Sequence, residues 1–249
     1  MPNVSATVTT PDGSCPVSLH TPHGTGPWSA VIMYPDAGGV RPTFADMADT
    51  LAGFGYAVLL PDVFYRHGDW KPFDMATAFT DKRERARLMG MVGSITPDLM
   101  ASDAAALISF LSQRPEVRGD GVGVCGYCMG GRMALIVAGR LPGRVAAAGS
   151  IHGGNLASDD RGSPHLLADQ ITATVYVGAA ENDHSFPPEQ AERLDKALTA
   201  AGVRHTIEWY HAAHGFAVPD NPPYDEQAAE RHWLALQELF SSALTADLS

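Results

Sequence analysis

Short apolar runs alternate with amphipathic segments along most of the chain. The apolar runs are rich in Val, Ile and Ala, which is typical of buried strands. Six strands are therefore predicted, at 29–34, 56–62, 121–125, 145–151, 172–178 and 205–210. The polar segment that precedes them predicts one or two further strands at an edge of the sheet.

Apolar residues at helical spacing fill most of the intervals between these strands. They predict helices at 44–55, 98–113, 129–141, 188–201 and 224–244. Strands that alternate with helices form parallel sheets covered on both faces, so the pattern predicts an α/β fold with a mostly parallel central sheet. Functional sites in such sheets form at the carboxyl ends of the strands.

The segment 63–97 interrupts this alternation. Because it is longer than an ordinary connection, we expect it to cover or line the functional site. It holds six of the chain's 17 Lys and Arg residues, together with aromatic residues that suit an apolar pocket. A solvated helix face with alternating charges is the alternative interpretation of its DKRERAR stretch.

Composition and charge limit the number of domains, the kinds of binding partner and the cellular location that are expected. The 249 residues are 45% hydrophobic and 18% charged, which allows a packed core. No linker rich in Pro, Gly or Ser divides them, so one domain over 1–249, without a separate cap domain, is predicted. The net charge of -11 argues against nucleic-acid and anionic-membrane partners. The chain shows no signal-peptide pattern and only three cysteines, which predicts a cytoplasmic protein.

Three motifs overlap in GVGVCGYCMGG, residues 121–131. The first, G-x-G-x-x-G, binds a dinucleotide when a strand precedes it and an acidic residue follows about 20 positions later. The preceding PEVRGD is polar, and no Asp or Glu occurs from 121 to 158. The second, C-x-x-C, needs a first cysteine at a helix start, or two more metal ligands nearby. Neither condition is met, so we expect no dinucleotide cofactor and no metal.

The third motif, G-x-C-x-G, is a nucleophile elbow with Cys128 at a turn from strand to helix. An acid and a histidine should then follow in that order, each just after a strand. Asp183 and His214 occupy those places. Glu181 and His211 are competing residues, but the turn favours Asp183 and the HGF sequence favours His214.

These residue types suit the hydrolysis of a carbonyl compound. The Cys128 thiol would attack the carbonyl carbon, His214 would act as the base, and Asp183 would hold the imidazole. The oxyanion of the tetrahedral intermediate needs two backbone N–H groups. We expect one from Met129, directly after the nucleophile, and one from Ala37, in the loop after the strand 29–34.

With GYCMGG around Cys128, GAAEND ending at Asp183 and HGF starting at His214, the sequence resembles the dienelactone hydrolase (carboxymethylenebutenolidase) family of the α/β-hydrolase fold. The resemblance covers nearly the whole chain. It implies hydrolysis of an enol-lactone ring or of related esters, without a cofactor.

Two positions depart from the family pattern. The family has a glutamate that holds the resting thiol, and Asp36, one methylene shorter, matches it here. The family also has an arginine for the substrate carboxylate four residues past the histidine, where this chain has Val218. Other side chains near the predicted strand ends or in the basic segment are candidates for substrate binding. These are Arg85, Arg87, Tyr127 and His152.

The sequence thus predicts a cysteine-dependent hydrolase that forms a thioester acyl-enzyme. The expected partner is a small-molecule ester or lactone, and a monomer is expected. One alternative is a thioesterase or another acyl hydrolase with the same three residues. Another is a non-catalytic sensor or binding protein on the same scaffold, with Cys128 as an oxidisable thiol.

Overall fold

The structure is a computed structural model that describes residues 1–244. Eight strands and six α-helices account for most of these residues. The strands are β1 (Asn3–Thr10), β2 (Gly13–His20), β3 (Trp28–Tyr34), β4 (Ala57–Pro61), β5 (Val117–Tyr127), β6 (Val145–Ile151), β7 (Thr174–Asn182) and β8 (His205–Ala213). The helices are α1 (Pro42–Gly53), α2 (Lys82–Gly93), α3 (Pro97–Ser112), α4 (Met129–Arg140), α5 (Pro188–Ala200) and α6 (Glu226–Ala243).

All eight strands form one sheet in the order β1-β2-β4-β3-β5-β6-β7-β8. The polar N-terminal segment forms β1 and β2, an antiparallel hairpin at one edge, and β2 pairs antiparallel with β4. The remaining pairs are parallel. The prediction of a mostly parallel sheet is confirmed, and the carboxyl ends of β3 and β5 to β8 lie along the same side of it.

Helices cover both faces of the sheet, which explains why the central strands are almost wholly apolar. Helices α1 and α6 pack on one face, where Leu51 and Phe240 are fully buried. Helices α3, α4 and α5 pack on the other face, where Leu107 and Leu194 are buried. This arrangement, with the sheet between two helical layers, is that of the α/β-hydrolase fold. Within residues 1–244, no helix has both the length and the apolar composition needed to cross a membrane.

Strand β5 differs from its prediction, because it begins at Val117 rather than at Gly121. Most of the polar PEVRGD stretch before Gly121 therefore belongs to β5. The expectation that no strand precedes Gly121 was wrong. The dinucleotide interpretation fails for a different reason. Its three glycines lie inside β5, whereas a dinucleotide motif needs them in the turn from strand to helix.

The irregular segment 63–97 contains a short 3-10 helix, Tyr65–His67, and the helix α2. Asp81 caps α2, since its side chain accepts hydrogen bonds from the backbone N–H groups of Arg83 and Glu84. The helix buries Leu88 and Met91 and turns most of its charged residues outward. The DKRERAR stretch thus forms the solvated helix face that was the alternative interpretation.

Candidate active site

Cys128 lies at the sharp turn between β5 and α4, in a left-handed backbone conformation with a φ of 55°. Its N–H donates to the Ile151 carbonyl, 3.0 Å away, at the end of β6. The turn requires glycine on both sides. A Cβ atom at Gly126 would overlap with the backbone of Gly130, and one at Gly130 would overlap with the Tyr34 carbonyl of β3. The sequence G-x-C-x-G therefore folds as a strand–turn–helix elbow with the thiol at its apex.

The structure brings Cys128, His214 and Asp183 together, as the sequence predicts. His214 Nε2 lies 2.9 Å from the Sγ atom of Cys128. Its Nδ1 lies 2.6 Å from Asp183 Oδ2. Asp183 follows β7 directly and His214 follows β8 directly, so adjacent parallel strands deliver the two side chains to one edge of the sheet.

The environment favours a charged imidazole at His214. Burial of the ring opposes its protonation, but the Cys128 sulfur and the Asp183 carboxylate outweigh burial and raise the pKa of His214 to about 10. Burial would also raise the pKa of Asp183, whose side chain is 2% exposed. Hydrogen bonds from His214 and Ser185 outweigh that effect and lower the Asp183 pKa.

Ser185 supports the acid and has no counterpart among the sequence predictions. Its backbone N–H and its hydroxyl both donate to Asp183 Oδ1, at 2.8 and 2.7 Å. These bonds occupy one carboxylate oxygen and leave the other for His214. The two-residue spacing from Asp to Ser is the local signal that predicts such a turn.

The competing acid and histidine form a separate pair. Glu181 Oε2 lies 2.6 Å from His211 Nδ1, and both side chains are well exposed. Each lies within its strand, whereas Asp183 and His214 are the first residues past the ends of β7 and β8, where His214 contacts the thiol. Proximity to Cys128 thus favours Asp183 and His214 over this pair.

A pocket of about 300 Å³ opens beside the thiol. It exposes Cys128 and His214, and most of its wall is apolar. Its lining includes residues that the sequence did not single out, from the segment after Phe73 and from the loop after His214. These are Met75, Ala76, Phe79, Thr80, Gly215, Asn221, Pro222 and Pro223. Met75, Ala76, Phe79 and Thr80 belong to the segment 63–97, which agrees with the prediction that this segment lines the site.

The two residues expected to form the oxyanion hole both lie close to Cys128, Ala37 in the same pocket and Met129 next to it in the chain. Ala37 lines the same pocket as Cys128. The loop that carries it is a tight turn, in which the N–H of Gly38 donates to the Asp36 carboxylate and that of Gly39 to the Asp36 carbonyl. Met129 is the first residue of α4, so its N–H belongs to the helix N-terminus.

Asp36 pairs with Arg41 and not with the Cys128 thiol, which was its expected partner. Its two carboxylate oxygens accept hydrogen bonds from Arg41 at 2.6 and 2.9 Å, and further bonds from Gly38 and Asn221. The thiol instead contacts His214. The expectation that Asp36 orients the thiol is therefore corrected: its carboxylate holds Arg41, because a buried carboxylate needs a positive partner.

The two candidate arginines do not line the pocket. Arg85 is exposed on α2. Arg87 donates to the Lys71 carbonyl and to Glu84, and its guanidinium stacks on the Phe73 ring at 3.7 Å. Neither arginine therefore reaches the pocket beside Cys128 in this structure, and carboxylate binding by Arg85 or Arg87 stays a prediction.

Tyr127 and His152 lie beneath the site and are not accessible from the pocket. Tyr127 is fully buried, with its hydroxyl 3.2 Å from His232 Nε2. His152 is 1% exposed and packs edge-on against the ring of His214, with 5.3 Å between centroids. Both predictions of substrate contact are corrected, because the two side chains are buried and neither lines the pocket beside the thiol.

The two cysteines of the C-x-x-C motif have different surroundings. Cys125 is fully buried, and burial raises the pKa of its thiol. Cys125 and Cys128 are both free thiols. Throughout the described part of the chain, no group of three or more His, Cys, Asp or Glu side chains is arranged to hold a metal ion.

The chain is similar to known hydrolases over nearly its whole length. A family model described as the dienelactone hydrolase family matches residues 16–244. A carboxymethylenebutenolidase from Pseudomonas sp. is 29% identical over 205 residues, which are 82% of this chain and 80% of that protein. One from Rhodococcus opacus is 27% identical over 239 residues, 94% of this chain and 89% of that protein. The crystal structure of a dienelactone hydrolase-like promiscuous phosphotriesterase from metagenomic libraries superposes with a TM-score of 0.78 at 26% identity, covering 97% of this chain and 98% of the other.

Proposed function

The chain belongs to the dienelactone hydrolase family, and on this basis we propose that it hydrolyses small esters or lactones with Cys128 as the nucleophile. One observation carries the proposal: the unbroken chain of short contacts from Asp183 through His214 to the Cys128 sulfur. Asp183 keeps a proton on Nδ1 and directs Nε2 at the sulfur, which is the geometry that nucleophilic acyl transfer needs.

The first step is attack by the Cys128 thiolate, with His214 as its imidazolium partner. The sulfur forms a bond to the carbonyl carbon, and the carbonyl π electrons move to the oxygen. The N–H groups of Ala37 and Met129 are suited to stabilise that oxyanion, because one lies on the pocket wall and the other at a helix N-terminus.

The second step breaks the bond between the carbonyl carbon and the leaving oxygen. His214 gives its Nε2 proton to that oxygen, and the acyl group remains on Cys128 as a thioester. With an ester the alcohol departs, whereas with a lactone the new hydroxyl stays attached to the acyl chain.

Water completes the cycle. His214, now neutral, takes a proton from a water molecule, and the hydroxide attacks the thioester carbon. The tetrahedral intermediate expels the Cys128 thiolate and releases the carboxylic acid. The imidazolium–thiolate pair is then restored, so each turnover consumes one ester and one water.

The test compares two single-thiol variants in steady-state hydrolysis of nitrophenyl butyrate. Cys128→Ala removes the nucleophile and should lower kcat/KM by about 1,000-fold or more. Cys125→Ala is the matched control, because that thiol is fully buried in β5 and has no part in the mechanism. It should retain most of the activity.

Two outcomes would contradict the proposal. Equal losses in the two variants would support a role for both thiols. A wild-type protein that is modified once at Cys128, with no further product released, would support the thiol sensor. A faster reaction with butyryl thioesters than with the oxygen ester would keep the nucleophile and make the enzyme a thioesterase.

A further inference from the structure

The pocket beside Cys128 presents carboxylate charge and no arginine or lysine. Across residues 1–244, its lining holds one acidic side chain, Asp36, and one base, His214, which is already paired with Asp183. The rest of the lining is apolar or uncharged, with Met75 and Phe79 on one wall. A substrate carboxylate that entered here would find no free cation.

Arg41 is the cation behind the pocket wall, and its hydrogen-bonding capacity is used up. A guanidinium has five N–H groups. Those of Arg41 donate twice to Asp36, twice to Asp220 and once to the Gly39 carbonyl. The Arg41 side chain is 5% exposed, so water and ligands do not reach it.

The Asp36–Arg41–Asp220 cluster therefore carries a net negative charge, and Asp36 brings it to the pocket wall. Two carboxylates share one guanidinium, at 2.6 Å for the shortest contact of each. Asn221 lines the pocket and donates to Asp36, which links the cluster to the pocket surface. The cluster would repel a carboxylate on the substrate. That carboxylate would also lose its hydration in this partly apolar pocket without gaining a positively charged partner.

The apolar wall of the pocket suits the binding of a small hydrophobic group. Phe79 is 50% exposed at the pocket mouth, an unusual position for a large aromatic side chain. Pro222 and Pro223 lie among the lining residues with it. Filling this space with an acyl chain would shield Phe79 from water, which favours binding in proportion to the apolar area covered.

We propose that the substrates are uncharged esters or lactones with an apolar acyl group, and that the Asp36–Arg41–Asp220 cluster discriminates against esters that bear a carboxylate. This inference rests on the hydrolase function proposed above and names the substrate class for it. It assigns Asp36 and Asp220 to selectivity rather than to the thiol.

The test uses two substrates that differ in one charge: mono-nitrophenyl glutarate and its methyl ester. The wild-type protein should hydrolyse the neutral methyl ester with a kcat/KM at least about 30-fold above that of the glutarate. Equal or higher kcat/KM with the glutarate, lost in Cys128→Ala, would overturn the inference while leaving the hydrolase function intact. Failure to turn over either ester in a Cys128-dependent way would overturn both.

Two variants with matched controls test the cause of the preference. Phe79→Arg places a cation at the pocket mouth and should reduce the ratio at least about 10-fold, mainly through a lower KM for the glutarate. Phe79→Gln removes the ring without adding charge and should not lower the KM for the glutarate. Similar ratios in both variants would contradict the electrostatic account.

Asp220→Asn removes one negative charge from the cluster and should reduce the ratio by about threefold or more. Asp220 is partly exposed, so the exchange is compatible with folding. Glu230→Gln removes one negative charge from the exposed surface of α6 and should leave the ratio as it is. Equal ratios in wild type and both variants would show that the cluster does not set the preference.

Discussion

At the scale of single residues, three side chains in a row form the candidate site. The Asp183 carboxylate and the Cys128 sulfur both contact the His214 imidazole and raise its pKa, while His214 helps to lower the pKa of Asp183. The ring of His152 packs against His214 from below, where burial and the nearby histidines hold the His152 pKa well below its usual range. A neutral ring there adds no charge that would compete with protonation of His214.

Removing the sulfur should therefore change the titration of His214. Its pKa is raised to about 10 in part by Cys128, so Cys128→Ala should lower that pKa by about 1 to 3 pH units. NMR titration of the histidine side chains measures it directly. His211, whose pKa is raised by Glu181, is an internal control that should not move. An unchanged His214 pKa in the variant would mean that sulfur and imidazole are not electrostatically coupled.

The elbow depends on how closely a strand and a helix approach at the scale of secondary-structure elements. Gly126 at the end of β5 touches Gly130 in the first turn of α4, and Gly130 touches the end of β3. This contact holds the helix N-terminus against the strand ends, so the thiol stands above the sheet. Gly121, near the middle of β5, has room for a methyl group, because a Cβ atom added there would lie 3.4 Å from the Ala146 Cβ.

Replacing Gly126 or Gly121 by alanine should change the stability of the fold to very different extents. Gly126→Ala forces the strand and helix apart and should lower the free energy of unfolding by about 3 kcal/mol or more, with loss of ester hydrolysis. Gly121→Ala should change the free energy of unfolding by less than about 1 kcal/mol. Urea unfolding followed by circular dichroism measures both. Comparable stability of the two variants would contradict the close packing at the elbow.

Buried histidines make the stability of the whole molecule depend on pH. His232 lies in the core between α6 and the sheet, where burial lowers its pKa to about 3. The unfolded chain binds a proton at this residue below about pH 6.5, but the folded protein does not. The contribution of His232 to stability is therefore fully present above pH 6.5, and it is lost progressively as the pH falls from 6.5 toward 3.

This effect can be measured as the slope of the free energy of unfolding against pH. Below pH 6.5, His232 should reduce the free energy of unfolding by about 1.4 kcal/mol for each pH unit. His232→Gln should lessen the slope by that amount, whatever its effect on stability at neutral pH. The exposed His23 provides the control, since His23→Gln should leave the slope as in the wild type. Parallel slopes in all three proteins, from urea unfolding at several pH values, would refute this account.

Much of the fold and the centre of the site follow from local sequence patterns. The period of apolar residues predicts the strands and helices of the mostly parallel sheet, and the spacing of glycines around Cys128 predicts the elbow. The order of nucleophile, acid and histidine, each after a strand, leads to Asp183 and His214. These features are local because they depend on the backbone conformation of a few consecutive residues and on the common direction of parallel strands.

The tertiary structure alone decided which other side chains line the pocket. Arg41 and Asp220 are 179 positions apart, yet their ion pair is what occupies the guanidinium beside Asp36. Burial of Tyr127 and His152, and the outward orientation of Arg85, likewise depend on where separate elements pack. No local pattern encodes such contacts, because they arise from the meeting of segments that are distant in the chain. The sequence by itself determined which cysteine, acid and histidine meet at the candidate site, whereas the packing of distant segments determined the charge and shape of the pocket around them.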